Sequence, residues 1–222
     1  MKQIPSDKYT VAWFKLAECI ARGEKERALG VYRLLSHSFN DDAYRVQLEG
    51  DILFSFDDIA GALEKYVQAA HIYKTSSRLL EAAVTYEHML GLVPERNDYL
   101  REIIELYRML SLPDKVLNYE CRSIRLSIEQ NNLFEASQLL KECDKKNALK
   151  VVTLFHEQLA LAAIKKEMDQ VELIRYHLTR AVQGLFLYYD ENALHRFLSY
   201  LEQYNETYYL EALESIEKSN KN

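Results

Sequence analysis

Six histidines, three cysteines and 34 acidic residues are the groups from which a catalytic or metal centre would have to be drawn. His156 and Glu157 begin a metalloprotease-like pair, but that chemistry needs a second histidine one helical turn on, and position 160 is Ala160. On so apolar a helix, His156 reads as a core residue with satisfied nitrogens. Glu191 and His195 stand four residues apart, which suits a surface pair but supplies too few ligands for a metal, which needs three or four. The six glycines are scattered, so no loop brings successive backbone N–H groups around a phosphate. No Gly-x-Ser-x-Gly elbow occurs, and no two carboxylates are marked out for an apolar pocket in which their proton affinities would diverge. Cys19, Cys121 and Cys143 are odd in number and widely spaced, which fits reduced thiols better than a disulfide framework. The expectation is a protein without enzymatic activity, metal or cofactor.

Composition narrows the partners. A net charge of −6 and a pI of about 5.6, spread evenly over the two halves, leave no basic footprint for a nucleic-acid backbone. No run of 18 apolar residues exists for membrane insertion, and the first residues lack the apolar stretch of a signal peptide. A cytoplasmic protein is expected. Asn205-Glu206-Thr207 has the form of a glycosylation acceptor but reads better as a polar turn. With only 6 Gly and 3 Pro, the chain cannot supply the turns of an all-β architecture.

Apolar residues instead recur at helical spacing almost throughout, interrupted by short polar turns. Twelve helices are expected: near residues 7–22, 25–37, 42–54 and 58–74, a fifth after Ser76-Ser77 ending near 92, then near 98–110, from Pro113 to the Asn131-Asn132 turn, 133–143, 148–166 and 169–188, an eleventh after Asp190-Glu191-Asn192 and a twelfth after Tyr204-Asn205-Glu206. Pro113 suits a first helical turn, where its missing N–H costs nothing. Asp144-Lys145-Lys146-Asn147 reads as the best hinge. The ninth helix is apolar on nearly every side from Val151 to Ile164, which predicts a central position with cover all round. The first helix shows a stripe of Tyr9, Trp13, Leu16, Ala17 and Ile20, and the last one of Tyr209, Leu210, Leu213 and Ile216. Turns this short force consecutive antiparallel hairpins.

One pattern recurs after the turns: a small residue, then a large one four positions on, in Ala28/Tyr32, Ala62/Tyr66, Ala82/Tyr86 and Ala136/Leu140. The small side chain lets a neighbouring helix approach and the large one fills the gap a turn later. At these residues the chain resembles the tetratricopeptide repeat (TPR) family, whose unit is a helix–turn–helix of about 34 residues. The window 63–96 carries Ala70, Tyr73, Ala82, Tyr86 and Pro94 at the family's positions. The window 43–76 carries Gly50, Leu53, Ala62, Tyr66 and Ala69, and Leu16, Ala17, Ile20, Ala28 and Tyr32 make a third. These windows overlap, so the fourth helix would be the second helix of one repeat and the first of the next, and the seventh repeats the conflict. The sliding pattern looks somewhat like the irregular hairpin arrays of the soluble attachment proteins of vesicle fusion. The fold expected is an all-α superhelix (solenoid) of about twelve antiparallel helices in a single domain, residues 1–222, with clear repeats over 12–143 and divergent hairpins over 148–218.

What the resemblance implies is a non-enzymatic adaptor that holds a peptide or helix of a partner protein in the groove of the superhelix. Glu64, Val67, Gln68, His71 and Lys74 would line it from one helix, and Asp98, Arg101, Glu105 and Arg108 from another. Family members that grip the carboxylate terminus of heat-shock chaperones use a clamp of Lys, Asn and Arg. Lys74, Arg101 and Arg108 lack its asparagines at matching offsets. Tyr200, Tyr204 and Tyr208, spaced by four in a tyrosine-rich C-terminal region, offer rigid faces with polar tips, suited to an interface or to half-buried packing. The alternatives are a chaperone shielding an apolar segment of a secreted or assembling client, and a closed helical bundle binding a small molecule or lipid around the ninth helix. Val11 and Phe14, off the main stripe of the first helix, leave self-association into a homo-oligomer open.

Overall fold

The structure is a computed structural model that describes the backbone of residues 6–146 and 149–220 and the side chains of residues 10–145 and 149–218. Among the described residues there are twelve helices and no strand: α1 (Ser6–Ala21), α2 (Lys25–Ser36), α3 (Asp42–Ser55), α4 (Ile59–Thr75), α5 (Leu79–Leu92), α6 (Asn97–Met109), α7 (Pro113–Glu129), α8 (Leu133–Lys146), α9 (Leu149–Lys165), α10 (Val171–Tyr188), α11 (Glu191–Tyr204) and α12 (Glu206–Asn220). Successive helices pack on one another from α1 to α6 and again from α8 to α12. The chain divides into two compact units, residues 1–116 and 117–222, and the division falls inside α7.

Local chemistry explains where the helices begin and end. Asp41, Asp58 and Asp190 each accept a hydrogen bond from the backbone N–H three residues on, at 3.1, 2.9 and 2.7 Å, satisfying a donor that the first turn leaves without a partner. Asn205 caps α12 in the same way through the Tyr208 N–H, so the Asn-Glu-Thr triplet is a helix start. Among the described residues, six turns close with one residue in the left-handed region: Gly23, Asp57, Ser77, Ser111, Asn131 and Glu167. In each, the next residue donates its N–H to the carbonyl five positions back, as Asp58 does to Leu53 and Arg78 to Tyr73, both cases of the Schellman closure. Asp57 follows Gly23 by 34 residues and Ser111 follows Ser77 by 34, the length of the repeat unit. Among the described residues, α4 and α7 have such a turn at both ends. They are the two helices for which sequence spacing demanded two roles.

In unit 1 the small-then-large pairs are packed as spacing predicts. Ala28, Ala62 and Ala82 are fully buried, and Tyr32, Tyr66 and Tyr86 lie beneath the surface beside them. A Cβ on Gly50 would come within 2.8 Å of the Tyr66 ring, so α3 and α4 are in closest approach where the residue has no side chain. The Tyr66 hydroxyl donates to Asp51 at 2.7 Å and the Tyr73 hydroxyl to Gln47 at 2.9 Å, so partners descend α3 as α4 ascends, as in an antiparallel pair. On α1 the buried residues are Leu16 and Cys19, with Ala12 and Ile20 packed beside them, whereas Trp13 and Ala17 are exposed; the buried stripe is rotated from the one predicted. Tyr9 lies outside the residues whose side chains are described.

Unit 2 is built around α9 and α10. Val152, Leu159, Ala160 and Ala163 of α9 are fully buried, yet Val151 and Leu154 are 43% and 44% exposed. The expectation of cover on every side is therefore corrected: α9 packs against α8, α10 and α11 and keeps one stripe open to water. On the last helix Tyr209 and Ile216 of the predicted stripe pack against the core, Leu210 is exposed, and Ala212, outside the stripe, is fully buried. The hinge reading fails at Asp144, whose side chain is 5% exposed and ion-paired; Asn147 lies outside the described residues.

Candidate functional site

The groove residues predicted on α4 and α6 form two exposed stripes in unit 1. Glu64, Val67, Gln68 and His71 face solvent on α4, and Asp98, Arg101, Glu105 and Arg108 do so on α6. Helical spacing puts each set on one face because buried residues (Tyr66, Ala69, Ala70, Tyr73; Leu100, Ile103, Ile104, Tyr107) take the other. The two stripes are joined by Lys74, whose ammonium lies 3.1 Å from Glu102 and 3.4 Å from Glu105. Partial burial opposes the lysine charge, but hydrogen bonds and attraction from Glu102 and Glu105 outweigh it and raise its pKa. Lys74 and Glu105 are thus brought together, with Glu102 a third member that spacing alone did not single out. His71 stands one turn before Thr75, whose hydroxyl donates to the His71 carbonyl at 3.0 Å.

A different stripe lies on the neighbouring helices. Leu80 and Val84, one turn apart on α5, are 52% and 51% exposed, and the Phe54 ring of α3 meets His88 edge-on at 6.2 Å.

In unit 2, Tyr200 and Tyr204 stack with ring centres 4.3 Å apart and planes 23° apart. Tyr204 is more than half exposed, so the stack presents a flat aromatic face. Tyr208 follows the turn on α12 and is half-buried against the core of unit 2.

The least expected feature is a buried polar chain between α8, α9 and α10. The Ser137 hydroxyl lies 2.7 Å from His177 Nε2, and His177 Nδ1 lies 2.7 Å from His156 Nδ1. Both imidazoles are fully buried. One Nδ1 must carry a proton and the other must not, so the rings hold opposite tautomers at that atom. His156 Nε2 is without a hydrogen-bond partner and points toward Asp144 at 3.7 Å. Asp144 is held by Arg180, at 2.5 and 2.8 Å, and by the Tyr176 hydroxyl at 3.1 Å. Burial drives the pKa of His156 down to about 4 and that of His177 to about 3, the second also lowered by the charge of its neighbour. Burial resists ionisation of Asp144, but Arg180, His156 and Tyr176 more than compensate and keep it a carboxylate. His156 is a core residue as predicted, though one of its nitrogens is left without a partner. Sequence spacing gives no sign of Ser137 or His177 and reads Asp144 only as part of a hinge, because the cluster joins α8, α9 and α10 and no sequence interval connects them.

No protein-family model and no curated protein matches the chain. Solved structures do match it. One is described as the MamA RS-1 ArsTM double mutant, where the likeness spans 82% of this chain and 96% of the other at 14% identity, with a TM-score of 0.29. A likeness that slight bears no weight in the argument. No described helix is long and apolar enough to cross a membrane.

Proposed function

We propose that this protein is a non-enzymatic interaction module whose α4–α6 face receives a peptide or helix of a partner protein. One observation carries the reading: Lys74 ties the exposed stripes of α4 and α6 into one surface, with His71, Arg101, Glu105 and Arg108 on either side. The repeat pattern and its resemblance to the TPR family support it, because the packing that buries the small-then-large pairs leaves these stripes for another molecule. A face of mixed charge suits a partner segment that itself alternates in charge, and the stacked Tyr200 and Tyr204, with Tyr208 beyond the turn, provide a separate aromatic patch. The wild-type chain is expected to capture such a partner from native lysate, to be identified by mass spectrometry. The double charge reversal Arg101→Glu and Arg108→Glu then weakens that complex about tenfold, the effect of two exposed charges near 0.7 kcal/mol each. Unchanged binding would remove this face from the interaction.

The exposed Leu80 and Val84, beside Phe54 and His88, favour a second reading, in which the α3–α5 side shields an apolar segment of a client. The two separate cleanly: Val84→Asp abolishes rescue of an insoluble client in the chaperone reading and leaves the α4–α6 complex intact in the first.

A further inference from the structure

The α7–α8 hairpin turns at Asn131, where the Asn131 N–H donates to the Ile128 carbonyl at 2.9 Å and the Asn132 N–H to the Ser127 carbonyl at 2.8 Å. In an antiparallel hairpin, residues equally distant from the turn face each other across the seam. Ser127 with Ser137, and Ile124 with Leu140, are such pairs about Asn132, and all four are buried. The next pair outward about the same midpoint is Cys121 with Cys143. The side chains agree: both belong to the same apolar core, and Cys143 is the main influence on the Cys121 thiol. Cys143 is 1% exposed within the core of unit 2, and Cys121 is half-buried and packed against that core.

We propose that Cys121 and Cys143 are a two-electron redox site, oxidised by a peroxide to a disulfide that staples α7 to α8. The differing exposure assigns the roles. Cys121, the accessible thiol, attacks one peroxide oxygen as a thiolate; the O–O bond breaks, the departing oxygen takes a proton and leaves as water, and Cys121 becomes a sulfenic acid. Cys143 then attacks the Cys121 sulfur, the S–S bond forms, and the sulfenic oxygen leaves as a second water carrying the Cys143 proton. In sum, two thiols and one hydrogen peroxide give one disulfide and two waters. The influence of Cys143 lowers the Cys121 pKa against the opposing effect of burial, which favours the first step. Cys143 immediately precedes Asp144, so the bond would fasten α7 to the part of α8 that holds Arg180 and Tyr176.

The test uses the full chain carrying Cys19→Ser, treated with equimolar hydrogen peroxide near neutral pH and mapped by mass spectrometry without reductant. The expected product has lost two hydrogens and yields a peptide pair joined through Cys121 and Cys143 that dithiothreitol separates. With Cys143→Ala added, Cys121 accumulates instead as a sulfenic acid captured by a dimedone probe, and its alkylation by iodoacetamide slows about threefold. Circular dichroism checks that this variant is folded, and the linkage result stands without it. Oxidation of Cys121 to a sulfinic acid or to an intermolecular dimer while Cys143 stays a free thiol overturns the proposal. So does a chain in which neither thiol reacts.

Discussion

At the scale of single residues, the buried His156–His177 pair is the feature with the largest consequence. Both imidazoles have folded-state pKa values far below the ordinary 6.5, at about 4 and about 3, with burial as the main cause. The unfolded chain therefore binds more protons than the folded one once the pH falls below about 6.5, and stability declines from there down through the folded values. Asp144 contributes in the same direction at lower pH, since its depressed pKa means its stabilisation is lost as it protonates. Two imidazoles sharing one short contact titrate as a unit, so the decline belongs to the pair. Denaturant melts of unit 2 between pH 7 and pH 4 are expected to show falling midpoints. The double variant His156→Leu and His177→Met removes most of the slope; a slope that persists would place the proton uptake elsewhere. His156 was legible from sequence as a core residue. Its partner was not, because 21 residues and a turn separate it from His177 and only the packing of α9 on α10 brings the two Nδ1 atoms together.

At the scale of helices and turns, two predictions separate conformational from steric roles of glycine. Gly23 has φ of +72°, and a Cβ there would touch nothing, so Gly23→Ala costs only the left-handed conformation, about 1 kcal/mol. Ser77 occupies the same turn position at φ +61°, and Ser77→Gly is expected to stabilise unit 1 by about 0.5 to 1 kcal/mol in thermal unfolding. A loss of stability there would show that the serine side chain matters more than its backbone. Gly184 is different: a Cβ would overlap Thr153 Oγ1 and come within 2.7 Å of Thr153 Cγ2, where α10 crosses α9. Gly184→Ala should destabilise by about 2 to 3 kcal/mol through overpacking, and Thr153→Ala in the same chain should recover much of the loss. No recovery would mean that the strain lies in the backbone of α10. Helix number and limits were legible because the capping residues Asp41, Asp58, Asp190 and Asn205 and the apolar period both act within a few residues. The rotation of the α1 face and the burial of Ala212 rather than Leu210 on α12 were not, since several adjacent apolar positions compete for burial and the neighbouring helix decides among them.

At the scale of the whole molecule, the charge reversal of Arg101 and Arg108 should weaken partner binding without lowering the midpoint of thermal unfolding by more than about a degree, because exposed charges contribute little to stability. A large fall in the midpoint would show that these arginines serve the fold first. Left-handed closures flank both α4 and α7, the helices to which spacing gives a double role. The all-α architecture, the twelve helices, the alanine–tyrosine seams and the exposed stripe of α6 follow from sequence alone, because helix propensity, capping and a 3.6-residue apolar period are local. The division into two units within α7, the open stripe on α9, the Lys74–Glu102–Glu105 cluster, the Ser137–His177–His156 chain and the meeting of Cys121 with Cys143 were decided by tertiary structure. Each depends on which helix faces come together, and that choice is made by burial summed over many residues far apart in the chain.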